Sequence, residues 1–343
     1  MFVARYAGAV FVVGLFFLPT RSIKAQAASE PRLIQLDVDV TGAGGRQTVG
    51  LTEKDFTLLD NKSPRPIASF LPVEGKEAPT EAVIVLDSVN TPYTALSYQR
   101  DQIARYLRNH GSPLPYPTTF AVLTDTKLQQ YNNLTTNGAE LANALDKTNI
   151  GLREINRAQG FWGASDRMGL SVNGLRQLIA QDEQRPGRKL ILWVSPGWPI
   201  LSGPNIELDS KQQDGIYGSV VAFSTEMRRA GITLYSINSW GADESVGRAF
   251  YYQSFAAGLK RPGDAALGNL SLQVLAKQSG GLVLNTSDVV GMLQQCVADA
   301  NHYYRITFMP EPGDKPDTYH QLQVKVAEGG LTARTRQGYY TQP

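Results

Sequence analysis

Residues 81–91 read EAVIVLDSVNT, an apolar run that delivers one carboxylate, then hydroxyl and amide side chains, onto a turn. Residues 82–86 are apolar at every position, too few for a helix and rich in β-branched side chains. That pattern predicts a strand buried on both faces of a parallel sheet. Asp87 then falls at the carboxyl end of the strand, the edge at which open α/β sheets bind ligands.

Downstream, strands alternate with helical runs, the signature of a layered α/β domain. Residues 95–108 carry Leu96, Ile103, Tyr106 and Leu107 at helical spacing, and 118–123 form the next strand with 128–131 as its hairpin mate. Helices are expected over 139–145 and 166–179. The run KLILWV at 189–194 reads as a central strand. Met227-Arg228-Arg229-Ala230-Gly231 places bases and then glycine where a helix ends, before a strand over 232–237. A helix over 270–278, an edge strand over 282–284 and a closing helix over 289–299 follow. The single cysteine, Cys296, is expected on the buried face of that last helix.

Two β segments flank this domain. Residues 32–40, RLIQLDVDV, alternate apolar and polar side chains; residues 51–56 suggest a short capped helical turn, and 56–59 and 66–71 further strands. At the other end, 304–309, 319–326 and 331–336 read as strands. Neither segment has enough strands to hold a core by itself. The expected organisation is therefore a small β-sandwich built from residues 28–78 and 301–343, with a mostly parallel, Rossmann-like α/β domain over 79–300 inserted between them.

The first residues carry Arg5, an apolar run over 7–18 and then Ala25-Gln26-Ala27, the charged, apolar and cleavage regions of a secretory signal peptide spanning 1–27. The run is shorter than the roughly 20 residues needed to span a bilayer, so no integral membrane segment is expected after cleavage. Residues 1–27 hold three of the 33 basic residues and none of the 31 acidic ones, which leaves the mature chain near neutral. No clustered basic stripe for nucleic acid occurs. The expected location is the periplasm, the cell surface or the medium.

Three stretches in order carry a family resemblance: Gly50-Leu51-Thr52-Glu53-Lys54-Asp55-Phe56, Leu86-Asp87-Ser88-Val89-Asn90-Thr91-Pro92 and Ala333-Arg334-Thr335-Arg336-Gln337-Gly338-Tyr339-Tyr340. With them the chain resembles a von Willebrand factor type A (VWA) domain, most closely the exported VWA-related family common in acidobacteria. VWA domains hold a metal-ion-dependent adhesion site on an Asp-x-Ser-x-Ser turn, a threonine from a later loop and an aspartate after the central strand. The resemblance matches Asp87 to the first aspartate and Thr91 to the second hydroxyl, while Val89 replaces the first serine. Ser165 would stand for the loop threonine, and Val194-Ser195-Pro196-Gly197 occupies the place of the last acid. It thus implies a degenerate site in which Asp87, Thr91 and Ser165, helped by Asn90, Asp166 or backbone carbonyls, would hold Mg²⁺ or Mn²⁺. No cofactor is certain. The alternative is that Asp87, Asn90 and Thr91 cap the next helix and satisfy turn amides.

Trp162, Trp198 and Trp240 all fall in loops expected at the same rim, and two long connections leave strand ends over 196–215 and 239–269. Loops of that length are often functional, and tryptophan supplies interface anchors; the same rings would otherwise form small cores beneath their own loops. The expectation is a protein-binding module, not an enzyme, whose partner contacts Asp87, Asn90, Thr91, Trp162, Trp198 and Trp240. A structural subunit of an envelope assembly is the alternative. A haloacid-dehalogenase-like phosphotransferase with Asp87 as nucleophile is a weaker one, because Val89 stands where the second aspartate of Asp-x-Asp-x-Thr would act as acid and base. Ser195 lacks the Gly-x-Ser-x-Gly elbow of a serine hydrolase.

Overall fold

The computed structural model describes residues 33–75, 77–109, 113–150, 160–199, 201, 207–239, 251–311 and 315–342; the expected leader lies outside them. The amino-terminal segment supplies β1 (Ile34–Thr41), β2 (Phe56–Asp60), β3 (Ser63–Arg65) and β4 (Ser69–Glu74). The inserted region runs β5 (Thr80–Asp87), α1 (Tyr93–Asn109), β6 (Thr118–Leu123), β7 (Leu128–Gln130), α2 (Gly138–Lys147), α3 (Gly160–Asp182) and β8 (Arg188–Val194). It continues through α4 (Ser210–Arg229), β9 (Ile232–Asn238), α5 (Leu272–Gln278), β10 (Val283–Asn285) and α6 (Val289–Ala298). The chain closes with β11 (His302–Phe308), β12 (Tyr319–Val326), β13 (Thr332–Arg334) and β14 (Gly338–Tyr340).

The insert is a six-stranded sheet of order β10-β9-β8-β5-β6-β7, parallel except for the antiparallel edge strand β7. Because a strand's side chains alternate faces, the apolar run of β5 serves two cores. Val83 and Val85 join Ala121, Ile191 and Trp193 under α3 and α4, while Ala82, Ile84 and Leu86 join Phe120, Leu190 and Leu192 under α1, α2 and α6. Cys296 is fully buried in the second core. Gly231 ends α4 at φ 67°, a left-handed conformation that glycine adopts without steric penalty, and the chain turns directly into β9.

The flanking segments form one sandwich. Its sheets are β13-β1-β11-β4 and β14-β12-β2-β3, so β1 and β4 meet only through β11, and β2 pairs with β12. Leu36, Val38 and Leu58 share a core with Ile306, Phe308, Val324 and Tyr339, which is why neither segment closes by itself. One difference lies after β2: Asn61 and Lys62 both take positive φ, 49° and 69°, giving the two-residue turn that matches strand twist. The hairpin therefore returns at once as β3, and the strand expected over 66–71 starts later, at Ser69, in the other sheet. The capped turn at 51–56 is a single 3-10 turn, with Thr52 N–H and Oγ1 donating to Asp55 at 2.7 and 2.8 Å.

Sandwich and insert meet over a buried charge cluster. Arg188, at the start of β8 and 2% exposed, donates both guanidinium arms to Asp39 of β1 at 3.2 Å. The same group donates to the carbonyl of Asp299 at 3.2 Å and lies 4.7 Å from the centre of the Tyr303 ring. Arg334 of β13 bridges Asp39 at 3.0 Å and Asp299 at 2.6 Å, and Tyr235 of β9 donates to Asp299 at 2.9 Å. Burial, with the charge of Asp39 beside it, raises the Asp299 carboxyl to about 6 despite the two arginines.

A raised carboxyl favours the protonated folded state, so this contribution to stability is present at low pH and is lost as pH rises through about 6. Asp299→Asn should melt close to the wild type at acid pH and gain on it as pH rises through that window. Melting curves of both proteins across the pH range measure this; a constant difference would mean that Asp299 does not titrate there.

Candidate functional site

The sheet order reverses between β5 and β8, and the helices that follow these strands pack on opposite faces, which opens the crevice where such sheets bind ligands. Asp87 ends β5 beneath that crevice and is 0% exposed. Its Oδ1 accepts the backbone N–H groups of Val89 at 3.1 Å and Asn90 at 2.9 Å. Oδ2 accepts Asn90 Nδ2 at 2.8 Å and the indole Nε1 of Trp193, from β8, at 3.0 Å. A carboxylate has about four lone-pair positions, and here four donors occupy them. Asp87 therefore closes a side-chain turn over the residues that follow it. Helix α1 begins later, with the Pro92 carbonyl accepting from Ala95 and Leu96, so the expected capping role reaches the turn amides but not the helix.

Asn90 extends the network by donating to Ser171 Oγ on α3 at 2.8 Å, and Ser171 donates back to the Arg167 carbonyl at 2.8 Å. Burial lowers the pKa of the Arg167 guanidinium, and the nearby charge of Asp87 opposes that shift. The hydroxyl of α3 at the level of Asp87 is thus Ser171. Ser165 lies six residues earlier, roughly 9 Å along the helix axis at 1.5 Å per residue. Ser165, the serine that the resemblance singled out, has no hydrogen bond to this network among the described residues, and Ser171 is the one that joins it. Ser171, Trp193 and Arg167 are the members of the network that sequence reasoning missed; only Trp193, inside the central strand, carried a signal, as a polar ring tip in an otherwise apolar run.

The structure corrects the expected contact surface. Asp87 and Thr91 are 0% exposed and Asn90 3%, so none of the three offers area to a partner. Trp198, 3% exposed, packs edge-on against Trp193 with ring centres 5.1 Å apart and belongs to the core under α3 and α4. Of the second long loop, Tyr252 is also buried. Trp162, on the first turn of α3, is 75% exposed, and Tyr93, which opens α1, is 72% exposed. Trp240 lies outside the described residues.

The metal ligands implied by the resemblance do not fit a divalent cation. The Thr91 hydroxyl is buried without a hydrogen-bond partner among the described residues, which would suit a ligand. Asp87, however, has no lone pair left, Val89 is packed in the apolar core, and Ser195 Oγ already accepts the Gly197 N–H at 3.1 Å. The Arg167 cation adds repulsion toward any second cation. Among the described residues no three His, Cys, Asp or Glu side chains group as a metal site.

Strand order and the antiparallel edge strand β7 define a VWA-like α/β fold carrying a flanking sandwich. No protein-family model matches the chain, and no curated protein does. Among solved structures, it is similar to proximal thread matrix protein 1 of the mussel byssus, at 12% identity over 68% of this chain and 49% of that one, with TM-score 0.35. It thus spans about half the length of that chain. A von Willebrand factor type A protein from Catenulispora acidiphila matches at 9% identity over 91% of this chain and 74% of that one, with TM-score 0.35. Manganese-loaded TRAP protein of Plasmodium vivax matches at 8% over 78% and 96%, with TM-score 0.36. The strand order, not these scores, defines the class.

Asp87→Ala should leave the Trp193 indole and two turn amides buried without an acceptor, at a cost of about 3 kcal/mol or more. Trp198→Ala should open a cavity worth about 3–5 kcal/mol. Both variants should melt well below the wild type, and neither Mg²⁺, Mn²⁺ nor chelator should shift the wild-type curve. A manganese-dependent rise that vanishes in Asp87→Ala would show a coordination shell that this hydrogen-bond network excludes.

Proposed function

We propose that the chain is an exported, VWA-like module that binds a protein partner at the carboxyl end of its sheet through exposed aromatic side chains, without a bridging metal ion. The observation that carries this reading is Trp162, 75% exposed on an α3 end that rises about 13 Å beyond the Ser171–Asn90 contact, nine residues at 1.5 Å each. Tyr93 stands on the opposite face of the sheet, so the two rings flank the crevice. Large exposed rings at a rim are unfavourable in water and supply anchor area to a partner. The buried polar network beneath them supports a rigid platform and leaves Asp87 no access to a substrate, which speaks against a catalytic role. Among the described residues, no helix is long and apolar enough to cross a membrane.

Export rests on the leader pattern of residues 1–27. Amino-terminal sequencing of the protein from its native host should begin near Ala28, in a fraction outside the cytoplasm; an intact Met1 in the cytosol would reject this part of the proposal.

For the rim, photo-crosslinking side chains placed at positions 93 and 162 should capture the same partner from the cell envelope or medium, whereas one at Glu328, in the sandwich, should not. Trp162→Ala should then weaken binding to the purified partner by about tenfold or more and, as a surface change, leave stability within about 0.5 kcal/mol. Full binding by a Tyr93→Ala, Trp162→Ala double variant would place the interface elsewhere, and loss of binding on chelation would restore a metal bridge.

A further inference from the structure

Where the sandwich meets the connection between β9 and α5, an open cavity of about 410 Å³ is lined, among the described residues, by Asn61, Lys62, Thr318, Tyr319 and Gln321 of the sandwich and by Lys260 of the connection. None of the six is acidic. Lys62 and Lys260 form no ion pair, and the Gln321 carboxamide no hydrogen bond, with any described residue. Two ammonium groups therefore face one space whose lining offers no carboxylate to either.

The walls of the cavity are held in place by their own bonds. Asn61 N–H donates to the Gln321 carbonyl at 2.8 Å, and Gln321 N–H donates back to Asn61 Oδ1 at 3.0 Å. The Tyr319 hydroxyl donates to the Gln337 carbonyl at 3.2 Å. A Cβ at Gly258 would fall 2.0 Å from the Tyr319 ring, so only glycine lets the connection close on it. The three non-glycine residues with positive φ among the described residues all lie here: Asn61 at 49° and Lys62 at 69° in the wall, and Asp317 at 63° next to Thr318. Asparagine and aspartate tolerate this left-handed backbone, whereas lysine is strained in it, and the second position of such a two-residue turn ordinarily takes glycine. Strain of this kind clusters at ligand sites, and here it sets a charged side chain on the cavity wall.

We propose that this cavity binds a small organic phosphate, with Lys62 and Lys260 on the phosphate group and the Gln321 carboxamide on the polar body that carries it. Two compact ammonium charges match a group that holds close to two negative charges at neutral pH, whereas a single carboxylate would satisfy only one. A cleft lined by one sign of charge also raises the local concentration of the opposite ion. Its volume of about 410 Å³ falls within the roughly 300–1,000 Å³ of small-molecule sites, more than a bare phosphate fills. The site uses neither Trp162 nor Tyr93 and does not rest on the partner-binding reading.

The test is calorimetry on the purified protein in chloride buffer at constant ionic strength, with glucose 6-phosphate, inorganic phosphate and glucose as probes. Glucose 6-phosphate should bind saturably at one site per chain, inorganic phosphate more weakly, and glucose not at all. Lys62→Gly should weaken glucose 6-phosphate binding by about tenfold and yet melt higher than the wild type, because glycine takes the left-handed backbone without steric penalty. Lys260→Gln should weaken binding comparably at an unchanged melting temperature, and Lys54→Gln, in the capped turn at the other end of β2, should bind as the wild type does. Glucose 6-phosphate that binds no better than glucose would overturn the proposal. So would undiminished binding by a Lys62→Gly, Lys260→Gln double variant.

Discussion

A carboxylate taken out of water must have its lone pairs filled, and at Asp87 this requirement organises the centre of the molecule. The turn after β5 folds back so that two amides reach Oδ1. Strand β8 supplies an indole instead of an aliphatic side chain, and Asn90 links the same carboxylate to α3 through Ser171. Three elements distant in sequence are thereby held in one register at the crevice. All four donors to the carboxylate are neutral groups. The carboxylate then has no lone pair left for an ion, and the large side chains exposed above it are Trp162 and Tyr93.

The second organising constraint is charge at the sandwich seam. Arg188 opens the central strand β8 yet reaches Asp39 on β1, 149 residues earlier, so the pairing forms only when the sandwich and the sheet are both in place. Removing one member would leave a buried charge without its partner, which is far more destabilising than an exposed ion pair is stabilising. The flanking segments are therefore coupled to the insert by electrostatics as well as by chain connection.

Strand and helix order was legible because it depends on local periodicity. An unbroken apolar run such as 82–86 has to be covered on both faces, and the alternation of 32–40 has to face one core. The pairing of the two flanking segments was legible for a related reason, since neither could bury its apolar face alone. The tight Asn61-Lys62 turn was not, because its left-handed backbone is carried by residues that also suit ordinary loops.

The site itself divides on the same line. Asp87 at the end of a buried strand, Asn90 and Thr91 on its turn, and the loss of a ligand at Val89 are determined by the sequence, because they lie within a few residues of one another. Whether Asp87 would face solvent, which α3 serine would bond to Asn90 beside it, and whether Trp198 would be an anchor or a core ring were decided only by the tertiary structure. Each depends on where α3 and β8 come to lie, and that position follows from how whole helices and strands pack across the sheet, a sum over distant contacts that no short stretch of sequence contains.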